Sequence, residues 1–240
     1  MNFLLHRHLA VRDLGSGAAG IGAMLPDLWR MADRRVRPRR TTLAEARPAP
    51  GDGIVGEVME GVEHHLRADA WFHRAPVFTE GERLVGDRLR AAGTTAGRMS
   101  LLAHVVWEMC LDGALLRREG LAPVLAALRA DFERTAAAAE RAADLHHWLP
   151  TARPAEERDA FLARMHRLAT ELARGPWIEG YRDPLGLAIR AAGVRVRLGL
   201  APLDPDDQRR VADALQPTLE LSDAAVEVVL SGPSWGAGET

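Results

Sequence analysis

Two stretches of this sequence place imidazole and carboxylate groups where they could share one ion. In Met99–Leu116, MSLLAHVVWEMCLDGALL, the apolar pattern is broken by His104, Glu108 and Asp112. Residues four apart on an α-helix are rotated by only about 40°, so these three share one face. Burying carboxylates without partners costs on the order of several kcal/mol each, which a metal ion or a fixed cation would offset. Gly61–Phe78, GVEHHLRADAWFHRAPVF, repeats the device with His65, Asp69 and His73. Imidazole and carboxylate at i, i+4 can chelate an ion from one helix face. His6 and His8 alternate within FLLHRHLA, and Asp27 sits in the apolar context GAMLPDLW. The expected ligand set is His6, Asp27, His65, Asp69, His104 and Glu108, with His8, His73 and Asp112 as weaker members.

Each group also has a plainer reading. His104, Glu108 and Asp112 could form a buried ion-pair network with arginines. His65 and Asp69 could lie on a solvated face, wetted by His64 and Arg67. His6 or His8 could be a hydrogen-bonded core histidine, and Asp27, after Pro26, a turn carboxylate. His146, His147 and His166 read as surface residues. Cys110 lies in the apolar helix and reads as an inert thiol.

Helices must position these groups, because strand signals are weak. Aromatic residues make up 5% of the chain, and no apolar–polar alternation flanks an Asn-Gly turn. Ala, Leu, Arg and Glu dominate, all strong helix formers. The pattern predicts helices over 17–32, 54–73, 77–92, 97–118, 121–147, 155–174, 183–199 and 205–230. Breakers such as Pro76, Gly93, Gly120, Pro154, Pro176, Pro184 and Pro205 separate them. The expected architecture is all-α, with one helical domain over 1–230 and a disordered tail over 231–240.

Composition excludes several classes. The 240 residues are 47% apolar and 27% charged, which is globular rather than disordered. One cysteine allows no intramolecular disulfide and no Cys-rich zinc site. Thirty-one basic and 33 acidic side chains leave a formal charge of −2, giving no argument for nucleic acid or a membrane surface. No apolar run approaches the roughly 18 residues of a membrane span. The charged MNFLLHRHLAV start does not read as a signal peptide. A soluble cytoplasmic protein is the expectation. Phosphate-loop, dinucleotide-binding and nucleophile-elbow motifs are absent from the sequence. The arginine-rich run from Arg30 to Arg40 could dock an acidic partner through Arg34, Arg35, Arg37, Arg39 and Arg40, or be a solvated stretch.

Five segments in order resemble the acyl carrier protein phosphodiesterases, enzymes related to the HD-domain phosphohydrolases. MNFLLHRHLA resembles that family's start. GAMLPDLWR, residues 22–30, resembles its second motif, with Asp27 matching an Asp. In residues 61–78, His65, Arg67, Asp69 and Pro76 match directly. Residues 103–112 resemble a helix of the family through Trp107, and residues 177–197, WIEGYRDPLGLAIRAAGVRVR, resemble its last motif. The departures are His73 in place of Asp, Glu63 where some members have His, His104 and Glu108 in place of two Asp, and Ala23 in place of Asn. The ligand-type swaps keep a group able to bind metal.

The resemblance implies an HD-like helical fold and a divalent metal, manganese foremost, with iron, magnesium or zinc as alternatives. It implies hydrolysis of the phosphodiester joining phosphopantetheine to a carrier-protein serine. Asp69, Arg67 and His73 would be the catalytic groups, with Arg67 a bidentate phosphate donor. The partner would be an acidic carrier protein or another phosphodiester substrate, with no nucleic acid and no membrane. Two alternatives remain open: an HD-like iron-dependent oxygenase, and a non-enzymatic helical binding module.

Overall fold

A computed structural model describes residues 2–38, 53–94, 97–148 and 154–234. Among them there is no strand, and the all-α expectation holds. The helices are α1 (Phe3–Leu14), α2 (Gly17–Ala32), α3 (Gly53–Phe72), α4 (Pro76–Ala91), α5 (Met99–Glu119), α6 (Leu121–Ala143), α7 (Ala155–Arg174), α8 (Pro176–Glu179), α9 (Pro184–Arg197) and α10 (Pro205–Leu230). A π-helical turn, Asp144–Trp148, extends α6, and a 3-10 turn, Gly180–Arg182, follows α8. Seven of the eight expected helices match within about two residues at each end. In the remaining one, 121–147, the α-helix ends at Ala143 and the last turn is π-helical. Helix α1 was absent from the sequence pattern, because its apolar residues Phe3, Leu4, Leu5, Leu9 and Ala10 do not form one stripe. Positions 235–240 of the expected disordered tail lie outside the described residues.

Local chemistry sets the helix ends. Ser16 caps α2 by accepting from the Ala18 and Ala19 amides. Asp183 and Asp204 cap α9 and α10, each followed by proline at the first helical position. Gly120, at φ 83°, lets the chain leave α5 and begin α6 at the next residue.

The chain forms two compact units. One contains Phe3–Ala70 and Ala122–Arg174. Its core is drawn from Leu5, Leu9, Ile21, Met24, Leu28, Val58, Val62, Leu128 and Phe161, all buried. Helices α2 and α3 meet here without side chains between them. A Cβ on Gly22 would overlap the Val58 carbonyl, and one on Gly61 would overlap the Ala19 carbonyl. Pro26, inside α2, removes the amide that would have bonded the Gly22 carbonyl.

The same unit corrects one expectation. His146 and His147 are buried, not on the surface. The π-helical turn brings both against Trp29, with ring centroids at 5.3 and 5.1 Å. Among the described residues, neither His146 ring nitrogen makes a hydrogen bond. Burial therefore holds the imidazole neutral, lowering its pKa to about 4. His166 is half-buried and bonds Glu140 at 2.7 Å.

The other unit contains Trp71–Leu121 and Gly175–Gly232. Helix α5 is its core element, packed on α4, α9 and α10. It carries a window of mean hydropathy 1.4, long and apolar enough by composition to cross a membrane, but 67% of that window is buried within the protein. That is the place of a core helix. Arg117 ties the unit together: it donates to Asp223 at 2.6 Å, to the Ser222 hydroxyl and to the Arg182 and Leu219 carbonyls. Trp107 lies over Gly81, where a Cβ would overlap its indole, and donates to the Val77 carbonyl at 3.1 Å.

Two predictions follow from this packing. Gly61→Ala must force α2 and α3 apart, and should cost about 1–3 kcal/mol or more in urea unfolding. His146 binds its proton less readily when folded than its ordinary value of 6.5 allows. Between pH 6.5 and 4 the unfolded chain takes up more protons, so stability falls as pH falls through that window. Relative to His146→Gln, wild type should lose about 2–3 kcal/mol between pH 7 and pH 4.5. A pH-independent difference would show that His146 ionises freely in the fold.

Candidate metal centre

The structure gathers most of the expected ligands into two triads, each inside one unit. In the first, α1 supplies His6 and α3 supplies His65 and Asp69, with ligand atoms all within 4.8 Å of one another. The two imidazoles stack with centroids 3.7 Å apart. His6 Nε2 lies 3.4 Å from Asp69 Oδ1. His65 is oriented through its other nitrogen: Nδ1 donates to the Ala23 carbonyl at 2.8 Å. A carbonyl can only accept, so Nδ1 carries the proton and Nε2 keeps its lone pair. The Gly22–Gly61 approach makes this bond possible, because His65 lies one helical turn beyond Gly61 and Ala23 follows Gly22.

Electrostatics in this triad suit a cation. Burial, reinforced by the nearby His65, pushes the His6 pKa well below its ordinary value. Burial works to raise the Asp69 pKa, but neighbouring positive charge outweighs it and holds the carboxyl ionised. Neutral imidazole and ionised carboxylate are the states that bind a divalent metal. His6 is fully buried, and among the described residues its ring nitrogens make no well-formed hydrogen bond, the contact at Nε2 being the 3.4 Å ion pair with Asp69. Such a group costs about 1–3 kcal/mol unless something satisfies it. The donor set fits a metal ion on that observation.

The second triad holds His73, just beyond α3, with His104 and Glu108 of α5. Glu108 Oε1 sits 3.1 Å from His104 Nε2 and 3.4 Å from His73 Nε2. The Phe78 ring lies 4.8 Å from both imidazoles. Burial acts to raise the Glu108 carboxyl, but the hydrogen-bonding His104 and His73, among other positive charge, hold it well below the usual range. Burial opposes the charge on His104, yet Glu108 and Glu82 raise its pKa on balance. This triad is wetter than the first: the His73 and His104 side chains are 33% and 28% exposed.

The remaining candidates fall elsewhere. Asp27, His8 and Asp112 are not in either triad. Asp27 and His8 are half-buried. Asp112 is fully buried, and its charge adds to burial in raising the Tyr181 phenol. Arg67, on α3, is half-buried, with Glu63 Oε1 3.7 Å from its guanidinium. Arg34, Arg35 and Arg37 are exposed. Arg35 is spoken for: it grips Asp33 at 2.7 Å and reaches Glu157 at 3.2 Å. Arg39 and Arg40 lie outside the described residues.

Three groups had no signal in the sequence. The Ala23 carbonyl belongs to the main chain. Glu82 Oε2, 3.9 Å from His104 Nδ1, is one charge among many on α4. Asp13 is buried and holds the buried His64 Nε2 at 2.9 Å, one residue from His65. Such a partner is invisible to spacing rules, because 51 residues separate the two.

No family model, curated protein or solved structure matches the chain.

The inert reading of Cys110 agrees with its surroundings. Burial pushes the thiol up to about 12, against the Thr218 hydroxyl at 3.8 Å. Cys110 should therefore resist a disulfide reagent in the folded protein and react at once in guanidinium; rapid reaction under native conditions would contradict its burial.

Proposed function

We propose that the chain is a metal-dependent phosphodiester hydrolase, of the kind its resemblance to the acyl carrier protein phosphodiesterases implies. Its substrate would be a phosphodiester such as phosphopantetheinyl serine on an acidic carrier protein. One observation carries the metal part of this reading: a fully buried His6, whose ring nitrogens make no well-formed hydrogen bond among the described residues, stacks on a His65 whose orientation is set by a main-chain carbonyl.

His6, His65 and Asp69 would form one ligand set, and His73, His104 and Glu108 another. Divalent ions held there supply Lewis acidity and a bound water that ionises near neutral pH. The protein's own part is positioning. His65 is held in one tautomer, His104 has a carboxylate near each ring nitrogen, and Phe78 closes one side of the second triad. Arg67, two residues from Asp69, would bind the phosphate through its planar guanidinium. The HD-like fold and cytoplasmic setting belong to the same proposal.

A second reading draws on the donor count. Each triad is two imidazoles and one carboxylate, the set that non-haem Fe(II) oxygenases use. The substitution of His73 and His104 for the family's aspartates makes the triads richer in nitrogen than the resemblance implies.

Elemental analysis separates these readings. Wild type should carry manganese and hydrolyse phosphopantetheinyl carrier protein. His65→Ala and His104→Ala should each lose metal. Asp69→Ala should lose more than the 10–100-fold typical of outer-sphere partners, with unchanged helical circular dichroism. Iron, with a ferric spectrum after aerobic purification, would favour the oxygenase. No metal after reconstitution with Mn²⁺ or Fe²⁺ would overturn both and favour a structural role for the two triads.

A further inference from the structure

We infer that the α2–α6–α7 face of the first-described unit is a binding site for a single-chain amphiphile with a carboxylate head, such as a medium-chain fatty acid. A cavity of about 520 Å³ opens there. That volume lies within the roughly 300–1,000 Å³ of small-molecule sites. Its walls are apolar: Leu25 and Leu28 from α2, Phe132 from α6, and Met165, Ala169 and Ala173 from α7. Short side chains on α7 leave the space. This cavity is separate in residues from both triads, so the inference stands apart from the proposed hydrolase.

The rim selects the head group. Arg129 lines the cavity, and its Nε donates to the Ala173 carbonyl at 2.9 Å. That bond orients the guanidinium, and among the described residues no carboxylate pairs with it. The other cations on the rim are engaged: Arg174 pairs with Glu171 at 2.6 Å, and His166 with Glu140 at 2.7 Å. An oriented guanidinium beside an apolar cavity matches a planar carboxylate on a hydrocarbon chain. Glu133 shares the rim. Its charge disfavours a dianionic head, so a carboxylate fits better than a phosphate monoester.

The test is calorimetric titration of the full chain with decanoate, decan-1-ol and decyl phosphate, each below its micelle concentration. Decanoate should bind one to one, and octanoate more weakly by about fourfold for each methylene removed. Arg129→Gln should weaken decanoate roughly tenfold or more, the worth of a charged hydrogen bond, and leave decan-1-ol within twofold. Ala169→Trp, which fills the cavity, should remove both ligands while the helical signal is kept. Arg129 is exposed, so its variant keeps the test decisive if the tryptophan variant fails to fold. Absence of one-to-one binding, or binding untouched by Ala169→Trp, would overturn the site. Decanoate and decan-1-ol equally affected by Arg129→Gln, or tighter binding of decyl phosphate, would overturn the head-group assignment.

Discussion

The contact of α2 with α3 at Gly22 and Gly61 is the constraint on which the first triad depends. Each glycine removes a Cβ that would strike a carbonyl of the opposite helix. The helices therefore touch backbone to backbone, and one turn further along, the Ala23 carbonyl lies 2.8 Å from His65 Nδ1. Alanine is among the least disruptive residues for a helix, yet here even a methyl group is too large. The interaction is steric in origin and electrostatic in effect: close approach makes the acceptor available, and the acceptor fixes the ring.

Burial then does the rest of the chemistry. In the first triad it strips His6 of its proton while nearby positive charge keeps Asp69 ionised. In the second, Glu108 keeps its charge by sitting between two imidazoles. Both arrangements leave a negative oxygen and ring nitrogens converging on one point. The first is no comfortable resting place for a protein without a cation, since a buried imidazole with no well-formed hydrogen bond is costly. The same expense recurs at His146, where nothing of opposite charge has been supplied, and the ring stays neutral among Trp29, His147 and the π-helical turn.

Much of this was legible beforehand, and the reasons differ by residue. His104 and Glu108 were readable because a polar pair four apart stands out on an apolar helix. His65 and Asp69 were readable for the same reason, and the α-helices around them follow from composition and breakers. The pairing of His6 with His65 was readable only as a possibility: they come from different helices, and nothing local in MNFLLHRHLA marks α1 as helical. Asp27 looked like a ligand because carboxylates in apolar sequence are rare, but helical phase alone does not say which neighbour it meets. His146 and His147 looked polar and late in the chain. Their burial follows from the π-helical turn, which no spacing rule anticipates.

The bond that orients His65 has a consequence for how this chain can vary. Its acceptor is a peptide carbonyl, which every amino acid carries, so the tautomer of His65 does not depend on which side chain stands at position 23. This chain has alanine there, and any other residue would present the same carbonyl. What the position requires is smallness nearby, not chemistry of its own. The histidine's orientation is thus sheltered from drift at the very residue that enforces it, and exposed only to changes at Gly22 and Gly61, where a single added carbon would be felt.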